Sequence, residues 1–201
     1  MTSNAKLTLA DIADQRAYER EREEFRTRVI ALKRLRRVSV GPVVTLVFEN
    51  RDTIRFQVQE MARAERMLTD SAIQTELDTY NALIPEPGHL SATLFVELTT
   101  KDQLLEWLPK LVGVERSVEF LVGAGDGATV VHCEVEEDHA AQLTREAVTA
   151  SVHYVRFRLE PEEIERFAAE PVVLAVNHPS YAEGTHLSAE TKASLLEDLR
   201  G

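Results

Sequence analysis

The run FENRDTIRFQVQEMARAER, residues 48–66, holds the densest set of side chains able to do chemistry. It carries Glu49, Arg51, Arg55, Gln57, Gln59, Glu60, Arg63, Glu65 and Arg66. Carboxylates supply general bases and hard metal ligands, while amides and guanidinium groups hold a bound polar molecule in place. Two histidines fall on strand-like patterns elsewhere. His153 alternates with Val155, Phe157 and Leu159, and His178 follows Val172, Leu174 and Val176. An imidazole titrates near neutrality and is a common metal ligand, so His153 and His178 with Glu60 or Glu65 would suit a mononuclear metal site. No HxH or HExxH spacing accompanies them. Each histidine therefore also reads as a core residue with one satisfied hydrogen bond.

Glu65 falls on the helical stripe of Ile54, Val58, Met61 and Leu68. A carboxylate on a buried stripe is costly unless paired, which predicts a buried Glu65 joined to Arg51, Arg55 or Arg156. Two readings of the segment stay open. One is a polar site drawn from Glu49, Arg51, Gln57, Glu60, Arg63, Glu65, His153 and His178. The other is an ion-pair network fixing a helix against a sheet.

Other motifs carry less. The turn GAGDG, Gly123–Gly127, lacks the G-K-[ST] ending of a nucleotide loop and lies between two strand patterns, so it reads as a β-hairpin turn. The lone Cys133 cannot form an intrachain disulfide or a cluster site, and Val131 and Val135 on its side of a strand make it a small buried hydrophobe. No G-x-S-x-G elbow occurs. No cofactor is evident. Lys33, Arg34, Arg36 and Arg37 end a helical stretch, where cations meet the negative end of the helix dipole; an anion-binding patch is the other reading.

The elements that must position these residues follow from periodicity. Thr8 and Asp11 look like a capping box. Residues 14–37 lack Gly and Pro and place Tyr18, Phe25, Val29 and Leu32 at helical spacing, which predicts a long helix with a charged outer face. Strand runs at 38–40 and 43–48 flank Gly41-Pro42. Helices are expected over 54–68 and, with Asp70 as N-cap, from 70 to 84. A strand at 90–98 leads to a helix opened by Thr99 and Asp102. Strands near 115–122, 128–135, 150–159 and 172–177 and helices at 161–169 and 188–199 complete the chain, with a polar stretch before residue 150. His132, His139 and His186 read as surface residues. This order predicts an α+β fold: one mainly antiparallel, mixed sheet packed with helices. We expect a single domain over 1–201, any division falling at the Pro85–Gly88 loop.

Composition bounds the function. The 201-residue chain carries 23 Lys and Arg against 34 Asp and Glu, a net charge of -11, which repels a phosphate backbone and argues against nucleic-acid binding. No apolar run approaches the ~20 residues of a membrane span, and the N-terminus lacks a secretory apolar core; a cytoplasmic protein is expected.

The run at 48–66, with ELDTYNALIP, LSATLFVE, VHYVRF and NHPSY, resembles a bacterial domain-of-unknown-function family numbered three-five-zero-one. The resemblance runs from KLTLADI to the closing LEDL. One departure is Asn177, where an acidic residue before His178 is expected; this weakens any carboxylate–histidine pairing there. The resemblance implies no reaction. It implies a setting beside a rubrerythrin-like di-iron protein and a CCG-type iron–sulfur protein, and so an accessory, partner-binding role in redox-stress physiology. The residues leave two alternatives: a metal-dependent oxidoreductase or small-molecule enzyme with a Glu/His site, and a ligand-sensing module using the Gln57–Glu60–Arg63 face.

Overall fold

The computed structural model describes residues 5–135 and 148–201. His139 and most of the polar stretch before residue 150 lie outside the described residues.

Asp14 opens helix α1 (Gln15–Arg36) by accepting from the Ala17 N–H at 2.9 Å. Thr8 and Asp11 do form a local cap, but on a short 3-10 turn, Leu9–Asp11, ahead of the helix. Asn50 and Thr53 exchange side-chain bonds at the start of α2 (Arg51–Ala64). This helix is shorter than its stripe predicts. Arg66 takes φ 54°, in the left-handed region, so the chain turns off the helix axis just past Ala64. Glu65 and Leu68 then fall outside the stripe and are exposed. Helix α3 (Asp70–Tyr80) is capped by Thr69 rather than Asp70, and α4 (Lys101–Lys110) by Thr100 with Gln103 rather than Thr99 with Asp102. Helices α5 (Pro161–Ala169) and α6 (Ala189–Arg200) follow the sequence pattern.

The strands form two antiparallel four-stranded sheets, not one. In chain order they are β1 (Arg37–Val40), β2 (Val44–Glu49), β3 (His89–Val96), β4 (Val118–Val122), β5 (Thr129–His132), β6 (Val152–Arg158), β7 (Val172–His178) and β8 (Tyr181–His186). One sheet runs β1-β2-β3-β6 and the other β5-β4-β7-β8. The GAGDG turn joins β4 to β5 as a hairpin. The sheets face each other across one core. Phe48 and Phe157 of the first sheet meet Phe120 of the second at centroid distances of 5.8 and 4.5 Å, and Phe167 of α5 meets Phe120 edge-on at 5.5 Å.

Both edges of the sandwich are stitched. Glu134, after β5, bridges to Arg156 of β6. At the other edge the Thr185 hydroxyl donates to the Ser39 carbonyl at 2.7 Å. The fold therefore approaches a flattened barrel, which hides its sheet edges. Tyr181 makes the second edge specific: its hydroxyl donates to the Val40 carbonyl at 2.6 Å and accepts from the Val43 N–H at 3.0 Å. Gly41 between them sits at φ +65°, and a Cβ there would lie 2.5 Å from the Tyr181 hydroxyl. Tyr181→Phe would leave the buried Val43 N–H and Val40 carbonyl unmet. We expect a loss of about 1–3 kcal/mol, read by chemical denaturation; an unchanged midpoint would rule out this latch.

Strand β2 is buried along its whole length because it is covered on both faces. Its inner residues join the main core. Its outer side lies beneath α1, α2 and α3, which with the N-terminal segment add smaller clusters such as Leu7, Ile54, Val58, Leu77 and Ile84. Among the described residues no helix is long and apolar enough to cross a membrane.

Candidate functional site

On β3 the core residues Leu90, Ala92 and Leu94 alternate with Ser91 and Thr93, which must point to the helix-covered outer face. Strand register places two polar rows there. Glu49, Ser91 and Arg156 lie side by side, and next to them Thr93 lies beside Tyr154. Glu49 is only 6% exposed. Its Oε1 accepts from the Thr93 hydroxyl at 2.7 Å. Its Oε2 and the Ser91 Oγ are buried with no hydrogen-bond partner. Unmet buried polar atoms are rare in native proteins, because each costs roughly 1–3 kcal/mol.

Glu49 lines one and Ser91 the other of two adjoining lobes that share lining residues. One lobe, about 220 Å³, is lined by Lys33, Glu49, Gln57, Tyr80, Thr93 and Tyr154 among others. The other, about 140 Å³, is lined by Tyr80, Leu83, Ser91, Tyr154, Val155 and Arg156 among others. Tyr80, Leu83 and Tyr154 are common to both. Burial, with Tyr80 and the Glu49 carboxylate adding to it, pushes the Tyr154 phenol upward, so it stays protonated and can donate. The Arg156 guanidinium donates to the Ala82 carbonyl and holds the 3-10 turn Asn81–Leu83 over the site.

The structure disperses most of the residues that the sequence grouped. Glu60 is held by Arg22 at 2.8 and 2.9 Å and by the Tyr18 hydroxyl at 2.7 Å, tying α1 to α2. The Arg22 hydrogen bond is the main reason its carboxyl titrates below the usual range. Arg63 pairs with Glu19 at 2.5 Å and Arg51 with Asp11 at 2.5 Å. Glu65 is exposed, with no ion pair among the described residues. Of the 48–66 segment, Glu49 and Gln57 reach the cavity together with Ile54.

The histidines do point inward, yet neither meets the 48–66 segment. That segment lies on the outer side of the first sheet, whereas His153 shares the inner face with Val155 and Phe157. His153 Nε2 lies 2.9 Å from the Thr149 hydroxyl and 3.0 Å from the Ala150 carbonyl. Its Nδ1 faces the buried Glu115 Oε2 at 3.9 Å, and neither atom has a hydrogen bond. His178 Nδ1 accepts from the Ser180 N–H at 3.2 Å, which leaves Nε2 to donate to the Val112 carbonyl at 3.1 Å. His178, with the Asn177 N–H that donates to the Ser117 carbonyl at 2.7 Å, thus ties the loop over 111–117 to β7 at two points. Cys133 adds a third tie, its Sγ donating to the Glu115 carbonyl at 3.1 Å. Burial pushes the Cys133 thiol up to about 11, so it is protonated near neutrality and a poor nucleophile. The expected metal set of His153, His178 and Glu60 is corrected: the three are committed to separate partners. Among the described residues no group of three or more His, Cys, Asp or Glu could hold a metal ion.

Residues 6–199 match the family model described as "Protein of unknown function (DUF3501)". The chain belongs to the DUF3501 family. No curated protein matches it in sequence. A crystal structure of a novel protein of unknown function from Burkholderia pseudomallei K96243 has the same fold. Its TM-score is 0.87 at 33% identity, over 97% of this chain and 100% of that one.

Several site residues of this DUF3501 chain escaped sequence reasoning. Ser91, Thr93, Tyr80 and Tyr154 come from three separate elements, and Lys33 was singled out only as one of four cations at a helix end. A signal existed for two pairs: Ser91 and Thr93 in LSATLFV, and Tyr154 and Arg156 in VHYVRF, are polar positions of opposite parity to the core. Glu115, the partner of His153, had none, because it sits in a 3-10 turn, Val114–Arg116.

Proposed function

We propose that this protein binds a small molecule in the cavity between the outer face of the first sheet and the helices over it. One observation carries this reading: Glu49 and Ser91 each line one of the two lobes, and Glu49 Oε2 and Ser91 Oγ are buried and unmet. A ligand with donors would satisfy groups that the fold itself leaves open. The site differs from the expected Gln57–Glu60–Arg63 face in that Glu60 and Arg63 are committed to α1. A binding or sensing module is therefore the function the geometry supports best.

The test is a thermal-shift screen of polar and aromatic fragments on wild type and Ser91→Leu. A leucine would occupy the smaller lobe and remove the unmet hydroxyl, so its stability should stay within about 1.5 kcal/mol of wild type. Fragments that stabilise wild type should leave the variant unmoved. Equal responses in both proteins would place binding elsewhere.

The accessory redox-stress role beside an iron–sulfur or rubrerythrin-like protein is a separate proposal, about the surface. Ile30 and Leu35 support it, since they are exposed on the otherwise charged α1. Ile30→Glu with Leu35→Glu should abolish co-elution with such a partner while leaving the cavity's ligand response intact; co-elution that survives would remove that role.

A further inference from the structure

We infer that the ligand is a small zwitterion of the amino-acid class, with its ammonium on Glu49, its carboxylate on Lys33 and an apolar side chain in the smaller lobe. This rests on reading the cavity as a binding site. The argument begins with charge. Glu49 and Lys33 line the same lobe of about 220 Å³, yet no ion pair joins them. Lys33 has no hydrogen bond or ion pair among the described residues, and Glu49 keeps one buried oxygen unmet. Four other cations near the segment are paired, Arg36 with Asp198, Arg51 with Asp11, Arg55 with Glu21 and Arg63 with Glu19, and Arg156 at the smaller lobe donates to the Ala82 carbonyl.

Two opposite charges that share a small cavity without touching are completed by a molecule that carries both. A simple amine would satisfy Glu49 but bring its charge toward Lys33. A simple acid would pair with Lys33 and leave the Glu49 carboxylate unmet beside it. A zwitterion removes both penalties. Depth sets its direction. Glu49 is buried, with the Thr93 hydroxyl on its other oxygen, whereas Lys33 is half-buried. The ammonium therefore goes inward and the carboxylate faces outward.

Size and polarity fix the rest. The smaller lobe, about 140 Å³, is bordered by Ala82, Leu83, Val135 and the Tyr80 and Tyr154 side chains, with Thr79, Ser91, Glu134 and Arg156 as its polar walls. A cavity of ~150 Å³ has room for a benzene ring, so this lobe can seat a branched aliphatic or phenyl group against Leu83 and the two tyrosine rings. Ser91 at its wall offers one further polar contact.

The experiment measures thermal shift and calorimetric affinity on the full chain. Ligands are the twenty common amino acids, phenethylamine, 3-phenylpropanoate and benzyl alcohol. We expect an apolar amino acid such as phenylalanine or leucine to raise the melting temperature. Phenethylamine and 3-phenylpropanoate, each lacking one charge, should bind at least about tenfold more weakly than phenylalanine. Glu49→Gln and Lys33→Met should each weaken amino-acid binding by at least about tenfold. Lys33→Met, at a half-buried position, carries the test if Glu49→Gln does not fold. If either half-molecule or benzyl alcohol binds as well as the amino acid, and Ser91→Leu abolishes it, the zwitterion class is overturned while the binding site stands. If no compound moves the wild-type melt, both fall.

Discussion

Arg36→Ala is expected to remove about 3–5 kcal/mol of stability, and so roughly 6–20 °C of melting temperature for a chain of this size. Arg36 is 1% exposed and all five of its N–H groups are used. Nε donates to the Phe48 carbonyl at 2.8 Å. Nη1 donates to the Ser194 carbonyl and hydroxyl at 3.2 and 3.1 Å. Nη2 donates to the Glu49 carbonyl at 3.1 Å and to the Asp198 carboxylate. One side chain thus ties the end of α1 to the end of β2 and to α6. Burial raises the Asp198 carboxyl, against the pull of Arg36, so the ion pair offsets its own desolvation rather than adding much. Removing one partner is what costs: alanine at Arg36 leaves a buried carboxylate and two β2 carbonyls without their donor. A lysine has no planar fork and should recover only part of the loss. The double variant Arg36→Met, Asp198→Leu should recover more than either single change. A melt of Arg36→Ala within a degree or two of wild type would refute this account.

The same residue marks how far the sequence could be read. As one of four cations closing a helix, Arg36 looked like dipole compensation, and its partner Asp198 lies 162 positions away. Local periodicity carries helix and strand identity, so α1, α5 and seven of the eight strands were legible. Strand β8 was not: in YAEGTH only Tyr181 is buried, because an edge strand with solvent on most positions shows no apolar alternation. Alternation also says that a face is apolar without saying what covers it. His153 was correctly turned inward, yet the inner face meets the second sheet rather than the polar segment. Glu65 failed for a different reason. The stripe was continued past a helix end that a non-glycine residue with positive φ, Arg66, creates. Of the site, Glu49 was legible as a chemical group. Its setting required the β2–β3–β6 register, which arises only once the strands pair.

Acidification is expected to destabilise the protein through His153. Nε2 at 3.0 Å from the Ala150 carbonyl must carry the proton, so Nδ1 is a bare lone pair facing Glu115 Oε2 at 3.9 Å. That is too long for a hydrogen bond, and a carboxylate and a lone pair repel. Burial holds the imidazole below its ordinary value of 6.5, and the opposing attraction of Glu115 does not cancel it. In the unfolded chain the imidazole takes up its proton as the pH falls through 6.5; in the folded chain it does so only at lower pH. Between those values the unfolded state binds more protons. The stability owed to this group is thus fully present above pH 6.5 and is lost as the pH falls, by at most ~1.4 kcal/mol per pH unit. His153→Gln keeps a donor for Ala150 but cannot titrate, so its stability should fall less between pH 6.5 and about 5. Glu115→Gln should act oppositely. Without the carboxylate the folded imidazole is harder still to protonate, and the acid loss extends to lower pH. General protonation of the 34 acidic residues would shift all three proteins alike. Denaturation midpoints measured across pH 5–8 for wild type and both variants separate the two causes, and superimposable slopes would show that the buried pair has no part in the acid response.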